Sequence, residues 1–250
     1  TDRYLRKLGS EHPITLQARS TLATMMTDGA DVDSVKTALP LLQDVLAARE
    51  RVLGRDHPQT VRTRLNLATA HAKLKHFAEA LPLEEQVITV RSRVLGPGHP
   101  DTLSILVNHA GTLLNAGQAD AALRLLGDVQ PLALKTLGEK HPQAQATMVI
   151  RAEALRVLGR VPDALAEYQR LFELRRRVLG ETDRETRVAA WNLIDTYTEL
   201  GRKADAAPLY RQYIAPLLAA EPETLDDDDA DFVRRYREGK RPGKQPTKRG

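Results

Sequence analysis

The chain has 250 residues, 42% of them hydrophobic and only 4% aromatic, with no cysteine. That supplies a core of Leu, Ala and Val suited to packed helices, excludes disulfides and thiolate metal sites, and fits a reducing, cytoplasmic setting. The net charge of +4 comes from the far end: Lys240, Arg241, Lys244, Lys248 and Arg249 supply five positive charges, and removing those five leaves −1 for residues 1–239. A nearly neutral body argues against nucleic acid as partner. No run of about 18 apolar residues exists, so nothing reads as a membrane span.

The first residues, RYLRKLG (3–9), carry no signal-peptide pattern and read as the end of a preceding repeat helix. The chain is therefore expected to be a fragment of a longer protein. From there one unit recurs. Leu-Gly pairs end at Gly9, Gly54, Gly96, Gly138 and Gly180, spaced 45, 42, 42 and 42 residues apart. His-Pro follows at His12-Pro13, His57-Pro58, His99-Pro100 and His141-Pro142, and the fifth copy reads Asp183-Arg184. Gly117, Gly159 and Gly201 form a second series, with Lys75 in the earlier slot. Ala38, Ala80, Ala122, Ala164 and Ala206 form a third, each step 42 residues. The first spacing is longer because DGADVDSVK (28–36) carries three extra positions in a turn. Such a period marks a solenoid of stacked supersecondary units.

Each unit reads as two antiparallel helices, in units at about 12–53, 57–95, 99–137, 141–179 and 183–219. In the second, Pro58 occupies a first helical turn, where its missing N–H costs nothing. Val61, Leu65, Ala68 and Ala72 fall on one helical face, which Leu67 and Leu74 widen. The break at Lys75-His76 ends that helix. A second begins near Phe77 or Ala78, carries Ala80, Leu81, Val87, Ile88 and Val94, and stops at Gly96, placed for a left-handed cap. Arg91 and Arg93 complement the dipole of its last turns. Pro131 and Pro216 fall well inside second helices and should bend or break them, at about 3 kcal/mol if unrelieved. Pro40, Pro82 and Pro208 share one position near a helix start, where the loss is smaller. After Ala220, residues 221–239 read as a capping helix: Asp226 caps it, Asp227 to Asp229 suit its positive end, Phe232, Val233 and Tyr236 form its stripe, and Gly239 stops it. Residues 240–250 have no apolar residue beyond proline and should be disordered.

These residues together resemble the tetratricopeptide repeat in the 42-residue form of kinesin light chains and many bacterial signalling proteins. Ala68 matches the family's small first-helix residue, Gly117, Gly159 and Gly201 its turn glycine, and the Ala38-to-Ala206 series its second-helix alanine. The family's aromatic four residues later is present as Tyr168 and Tyr210 but replaced by Leu42, Glu84 and Leu126. The resemblance covers roughly residues 10–219. It implies an all-α, right-handed superhelical solenoid of about five helix pairs whose first helices line a concave face that binds extended peptides or helices.

In several members of that family, an asparagine two residues before the small residue bonds the peptide backbone. That position here holds Thr21, Asn66, Asn108, Ile150 and Asn192, so a continuous ladder fails at Ile150. An amide offers both a donor and an acceptor, which an extended backbone needs. An exposed asparagine can also be merely solvated. Helical spacing adds Arg62, Thr69 and Lys73 around Asn66, Ser104 and Asn115 around Asn108, and Glu153, Asp195 and Glu199 in the last two units. The face would grade from basic to acidic, favouring a ligand with one acidic and one basic end; a chance distribution is the rival reading. Trp191 reads as an aromatic anchor or as packing between repeats, with packing favoured.

No chemistry-bearing constellation forms. His12, His57, His99 and His141 are one repeat position, about 10 Å apart by helix stacking, which is too far to share an ion; capping or packing at helix starts is the expected role. His71 and His76 have no evident third ligand. There is no G-x-S-x-G, phosphate loop or HExxH, and Asp226 to Asp229 lack the pattern of a calcium loop. No catalytic residue, metal or cofactor is expected. The expected function is a non-catalytic module that binds a peptide or helix of a protein partner in its concave groove. The alternative is a structural or sensor region of a larger signalling ATPase or kinase, acting through contacts with another domain of its own parent chain. Nucleic-acid contact through the basic tail is a third, weaker reading.

Overall fold

The computed structural model describes residue 4 and residues 7–28, 31–221 and 224–238. The expected disordered tail (240–250), the helix stop at Gly239 and most of residues 1–6 lie outside the described residues. The described chain consists of helices and their connecting turns, with no strand among the described residues. The helices are α1 (Pro13–Asp28), α2 (Val32–Leu53), α3 (Pro58–Lys73), α4 (Phe77–Leu95), α5 (Pro100–Asn115), α6 (Ala119–Leu137), α7 (Pro142–Val157), α8 (Val161–Leu179), α9 (Arg184–Glu199), α10 (Lys203–Leu209), α11 (Ala215–Ala219) and α12 (Asp227–Arg237). They fall into two compact units, one covering the described residues up to Gln118 and the other those from Ala119.

Histidines start the first helices by capping. The Nδ1 atoms of His57, His99 and His141 accept from the backbone N–H two residues on, at 3.2, 3.1 and 3.2 Å, and Asp183 does the same at 2.8 Å through its carboxylate. Proline follows each of these histidines because the first helical position needs no N–H. The ends of α3, α5, α7 and α9 are equally uniform. Gln118 N–H reaches Leu113 O and Gly117 N–H reaches Leu114 O, at 2.9 and 3.1 Å. This is the two-bond motif that a residue with positive φ makes at a helix end. Gly117 has φ of 80°, and Lys75 takes the same slot at 61° although it has a Cβ.

The glycines after the second helices behave differently from the expectation. Gly96 has φ of 91° but ψ of 156°, outside the left-handed helical basin. The chain therefore leaves α4 through a positive-φ region open essentially to glycine alone.

In the first unit, α1 to α5 pack in consecutive order. One apolar cluster joins Ala23, Val35, Ala38, Leu42, Leu67 and Ala70; another joins Val61, Val87 and Ile105. Of the face expected on α3, Val61 and Ala68 are buried with Leu67, while Leu65 and Ala72 are half-buried. In the second unit, α6 to α10 follow the same order, and one cluster runs from Met148 and Ala152 through Tyr168, Leu171 and Phe172 to Leu193, Tyr213 and Phe232.

A clamp from the ends of the second helices was not foreseen beyond a dipole role. Arg49, Arg91 and Arg175 occupy one repeat position, and each donates to the backbone carbonyl ten residues later: Gln59 at 3.1 Å, Asp101 at 2.9 Å and Glu185 at 3.0 Å. The side chain thus ties the end of a second helix to the first turn of the next helix. Ala133 fills the same slot in α6, so no such clamp forms there.

The two prolines inside second helices part ways. α6 runs through Pro131 unbroken, contrary to a break, with the proline withholding an N–H from the Gly127 carbonyl. At Pro216 the helix does change: Tyr210–Ile214 form a π-helical turn, and Ala215 N–H bonds Tyr210 O, five residues back. The wider turn accommodates a ring that would otherwise meet the carbonyl four residues before it. Pro40 lies deeper than spacing suggested, because α2 already starts at Val32.

Within residues 221–239, expected as a capping helix, α12 spans Asp227–Arg237. Asp226 Oδ1 accepts from Asp229 N–H at 2.8 Å, and Phe232 and Val233 are buried. Tyr236 meets Trp191 edge-on, with ring centroids 4.9 Å apart, and Arg187 pairs with Asp229.

Candidate functional site

The residues singled out on the first helices are taken unit by unit. In the first unit they lie on α3 and α5. Asn66 is half-buried, and its Nδ2 donates to Thr24 Oγ1 of α1 at 2.7 Å. Lys73 Nζ donates to the Thr27 carbonyl at 2.6 Å, near the end of the same helix. Thr69 turns its hydroxyl back to the Leu65 carbonyl at 3.0 Å. These three side chains therefore already hold bonds inside the unit. Arg62 is exposed and makes no ion pair among the described residues. On α5, Asn108 and Asn115 are exposed and Ser104 is half-buried. The Asn108 amide has no hydrogen-bond partner among the described residues, so both its donor and its acceptor face solvent.

In the second unit the face is built by α7 and α9. Asn192 and Ile150 are both half-buried. Asp195 and Glu199, one helical turn apart, are joined to α7 by an arginine that the sequence reading passed over. Arg156 Nη1 lies 3.3 Å from Asp195 Oδ2, and its Nε lies 2.8 Å from Glu199 Oε2. Glu153 stands one turn before Arg156 on α7. Beneath them, Tyr168 of α8 is 1% exposed, and its hydroxyl has no hydrogen-bond partner. Burial pushes the Tyr168 phenol up, the charges of Glu153, Asp195 and Glu199 act the same way, and Arg156 opposes them. Burial also raises the Asp195 carboxyl, against Arg156 and with Glu199. The helical period places Arg156 three residues from Glu153; that spacing was the available signal for it.

Trp191 is half-buried and packs edge-on against Tyr236 of α12. His71 and His76 have ring centroids 5.9 Å apart. Among the described residues, no group of three or more His, Cys, Asp or Glu side chains is placed to hold a metal ion. No described helix is long and apolar enough to cross a membrane.

The repeated helix pairs and their caps agree with a direct comparison. The family model described as "Tetratricopeptide repeat" matches residues 30–93 and 143–215, more than half of the chain. The chain belongs to the tetratricopeptide repeat family.

Solved structures place its repeats within the kinesin-light-chain-like form. A crystal structure of "Podosopora anserina putative kinesin light chain nearly identical TPR-like repeats" is 26% identical, with a TM-score of 0.71, over 82% of this chain and 95% of that one. BtubC (BKLC) from P. vanneervenii is 15% identical, with a TM-score of 0.67, over 97% and 90%. A Rap protein complexed with Competence and Sporulation Factor is 14% identical, with a TM-score of 0.60, over 83% of this chain and 54% of that one. The last two share the fold. No curated protein matches the sequence. As a tetratricopeptide repeat protein the chain is an interaction scaffold, and its departures from the repeat are the places that can carry specificity.

Proposed function

We propose that this chain is a non-catalytic interaction module that binds a peptide or helix of a protein partner on the faces of its first helices. The observation that carries the reading is Asn108. It is exposed on α5, at the repeat position where an amide suits an extended backbone, and its side chain is unengaged. Asn66, at the same position, is already bonded to Thr24 and contributes less. Asn115, Ser104 and Arg62 add polar surface on the same unit, and Asn192, Glu153, Asp195 and Glu199 are the corresponding residues of the other. A relative of the same fold was solved with Competence and Sporulation Factor, which is consistent with such use.

The test is a selection of binders from a display library of short random peptides, followed by titration. Asn108→Ala should weaken selected peptides by about tenfold with helicity unchanged, and Asn66→Ala by less. Undiminished affinity in Asn108→Ala would overturn the reading.

A second reading has an observation of its own. Leu22 and Met25 on α1 are 42% and 67% exposed, whereas Leu67 and Ala70, at the same repeat positions, are buried. That apolar face suits a contact with another domain of the parent chain, as a structural or sensor region would make.

A further inference from the structure

Of the places where this chain departs from its own repeat, the α7–α9 face of the second unit combines charge with an unsatisfied polar atom. Glu153 and Arg156 lie on α7, Asp195 and Glu199 on α9, and Tyr168 lies beneath them on α8. Asp195 and Glu199 share the Arg156 guanidinium, and Glu153 stands one turn before that arginine. The Tyr168 hydroxyl sits in the field of all four groups. It is buried in an otherwise apolar cluster with Leu171, Leu193 and Tyr197, yet its oxygen has no hydrogen-bond partner. Leaving a buried hydroxyl unpaired costs free energy that a donor would recover. The equivalent positions Leu42 and Leu126 avoid that cost by carrying no polar atom.

We infer that this face is a receptor for one cationic side chain, an arginine or lysine of a bound peptide. Arg156 acts as its built-in surrogate. Its guanidinium bridges Asp195 at 3.3 Å and Glu199 at 2.8 Å, which is the engagement an incoming guanidinium would make. The ligand cation displaces Arg156, takes over its carboxylates and donates to the Tyr168 oxygen. A cationic side chain matches Asp195 and Glu199, which already hold a guanidinium. Acceptor-only carboxylates reject an anion, and no described cluster here is arranged as a metal cage. Burial keeps the Tyr168 phenol protonated, so its oxygen serves as a neutral acceptor.

This inference rests on the peptide-binding reading, and one experiment separates the two. Peptides selected against the full chain are titrated as such and with each arginine replaced by citrulline, which keeps the shape and removes the charge. Selected peptides should be rich in Arg or Lys, and one citrulline replacement should weaken binding about tenfold. Glu199→Gln and Tyr168→Phe should each weaken the arginine peptide and shrink its advantage over citrulline. Tyr168→Phe keeps the ring in the core. Arg156→Gln should strengthen the arginine peptide, because the internal competitor is gone; a merely structural role for Arg156 predicts weakening. Peptides that depend on Asn108 but show no preference for a cation would overturn this inference and leave the peptide-binding reading standing. So would cation-dependent binding indifferent to Glu199→Gln and Tyr168→Phe. Failure to select any peptide overturns both.

Discussion

The Nδ1 atom of His109 lies 2.8 Å from Oε2 of Glu84, and both side chains are buried. Thr112 donates to the other carboxylate oxygen at 2.8 Å. One repeat earlier, the same three positions hold Leu67, Leu42 and Ala70, all in one apolar cluster. A polar triad has therefore replaced an apolar contact between a second helix and the first helix that follows it. Such a substitution holds only while every member is satisfied. His109→Ala should destabilise the protein by about 3 kcal/mol, because it strands a buried carboxylate. Glu84→Leu combined with His109→Leu should restore stability to within about 1 kcal/mol of the parent. Chemical denaturation of the three proteins measures both, and a double variant no better than His109→Ala would refute the pairing.

Lys75 offers a stabilising change. It is the only described non-glycine residue with positive φ, at 61°, in a slot that Gly117, Gly159 and Gly201 fill elsewhere. Lys75→Gly should raise stability by about 1 kcal/mol, since relief of the Cβ strain outweighs the added chain entropy. A higher denaturation midpoint with unchanged cooperativity is the expected result.

His71 makes stability depend on pH. Its ring is buried, Nδ1 has no partner, and burial holds its pKa below the ordinary value of 6.5; Glu79 opposes the shift and His76 adds to it. The unfolded chain therefore takes up the proton first as pH falls. The contribution is complete above about pH 6.5 and is lost progressively below it, through the lower folded-state value. Thermal melts of the parent should fall over that range, and His71→Gln should flatten that part of the profile. Parallel profiles for the two proteins would contradict the assignment.

The arginine clamps differ in depth and should differ in worth. Arg175 is 7% exposed and bonds Gln145 Oε1 at 3.1 Å, the Glu185 carbonyl at 3.0 Å and Glu185 Oε2 at 2.9 Å. Arg175→Leu should cost about 2 kcal/mol or more by leaving buried acceptors unpaired. Arg91 is more exposed and has one such bond, to Asp101 O. Arg91→Leu should cost about 1 kcal/mol or less. Equal costs, read from denaturant midpoints, would mean that burial does not set the value of the clamp.

The fold was legible because its signals are local. Histidine or aspartate at a first-helix start, proline after histidine, glycine where φ must be positive and alanine where helices touch all act within one turn of themselves, so the 42-residue period exposes them. The candidate site was legible only in part. The asparagine series pointed to α3, α5 and α9, but it treated Asn66 and Asn108 alike. Only the fold shows that Asn66 and Lys73 bond α1 while the Asn108 side chain has no hydrogen-bond partner among the described residues. Of the bend or break expected at Pro131, the break does not occur, because packing can hold a helix through one missing hydrogen bond.

The sequence by itself determined that this chain is a run of tetratricopeptide helix pairs, since period and punctuation are properties of the chain. Tertiary structure alone decided which polar side chains are spent. Arg156 between Asp195 and Glu199, the Tyr168 hydroxyl beneath them, the Glu84–His109 pair and Trp191 against Tyr236 each depend on side chains brought together from different helices. The physical reason is range. Caps and turns are fixed by neighbours along the chain, whereas burial and ion pairing are fixed by neighbours in space, which repeat spacing does not encode once copies diverge.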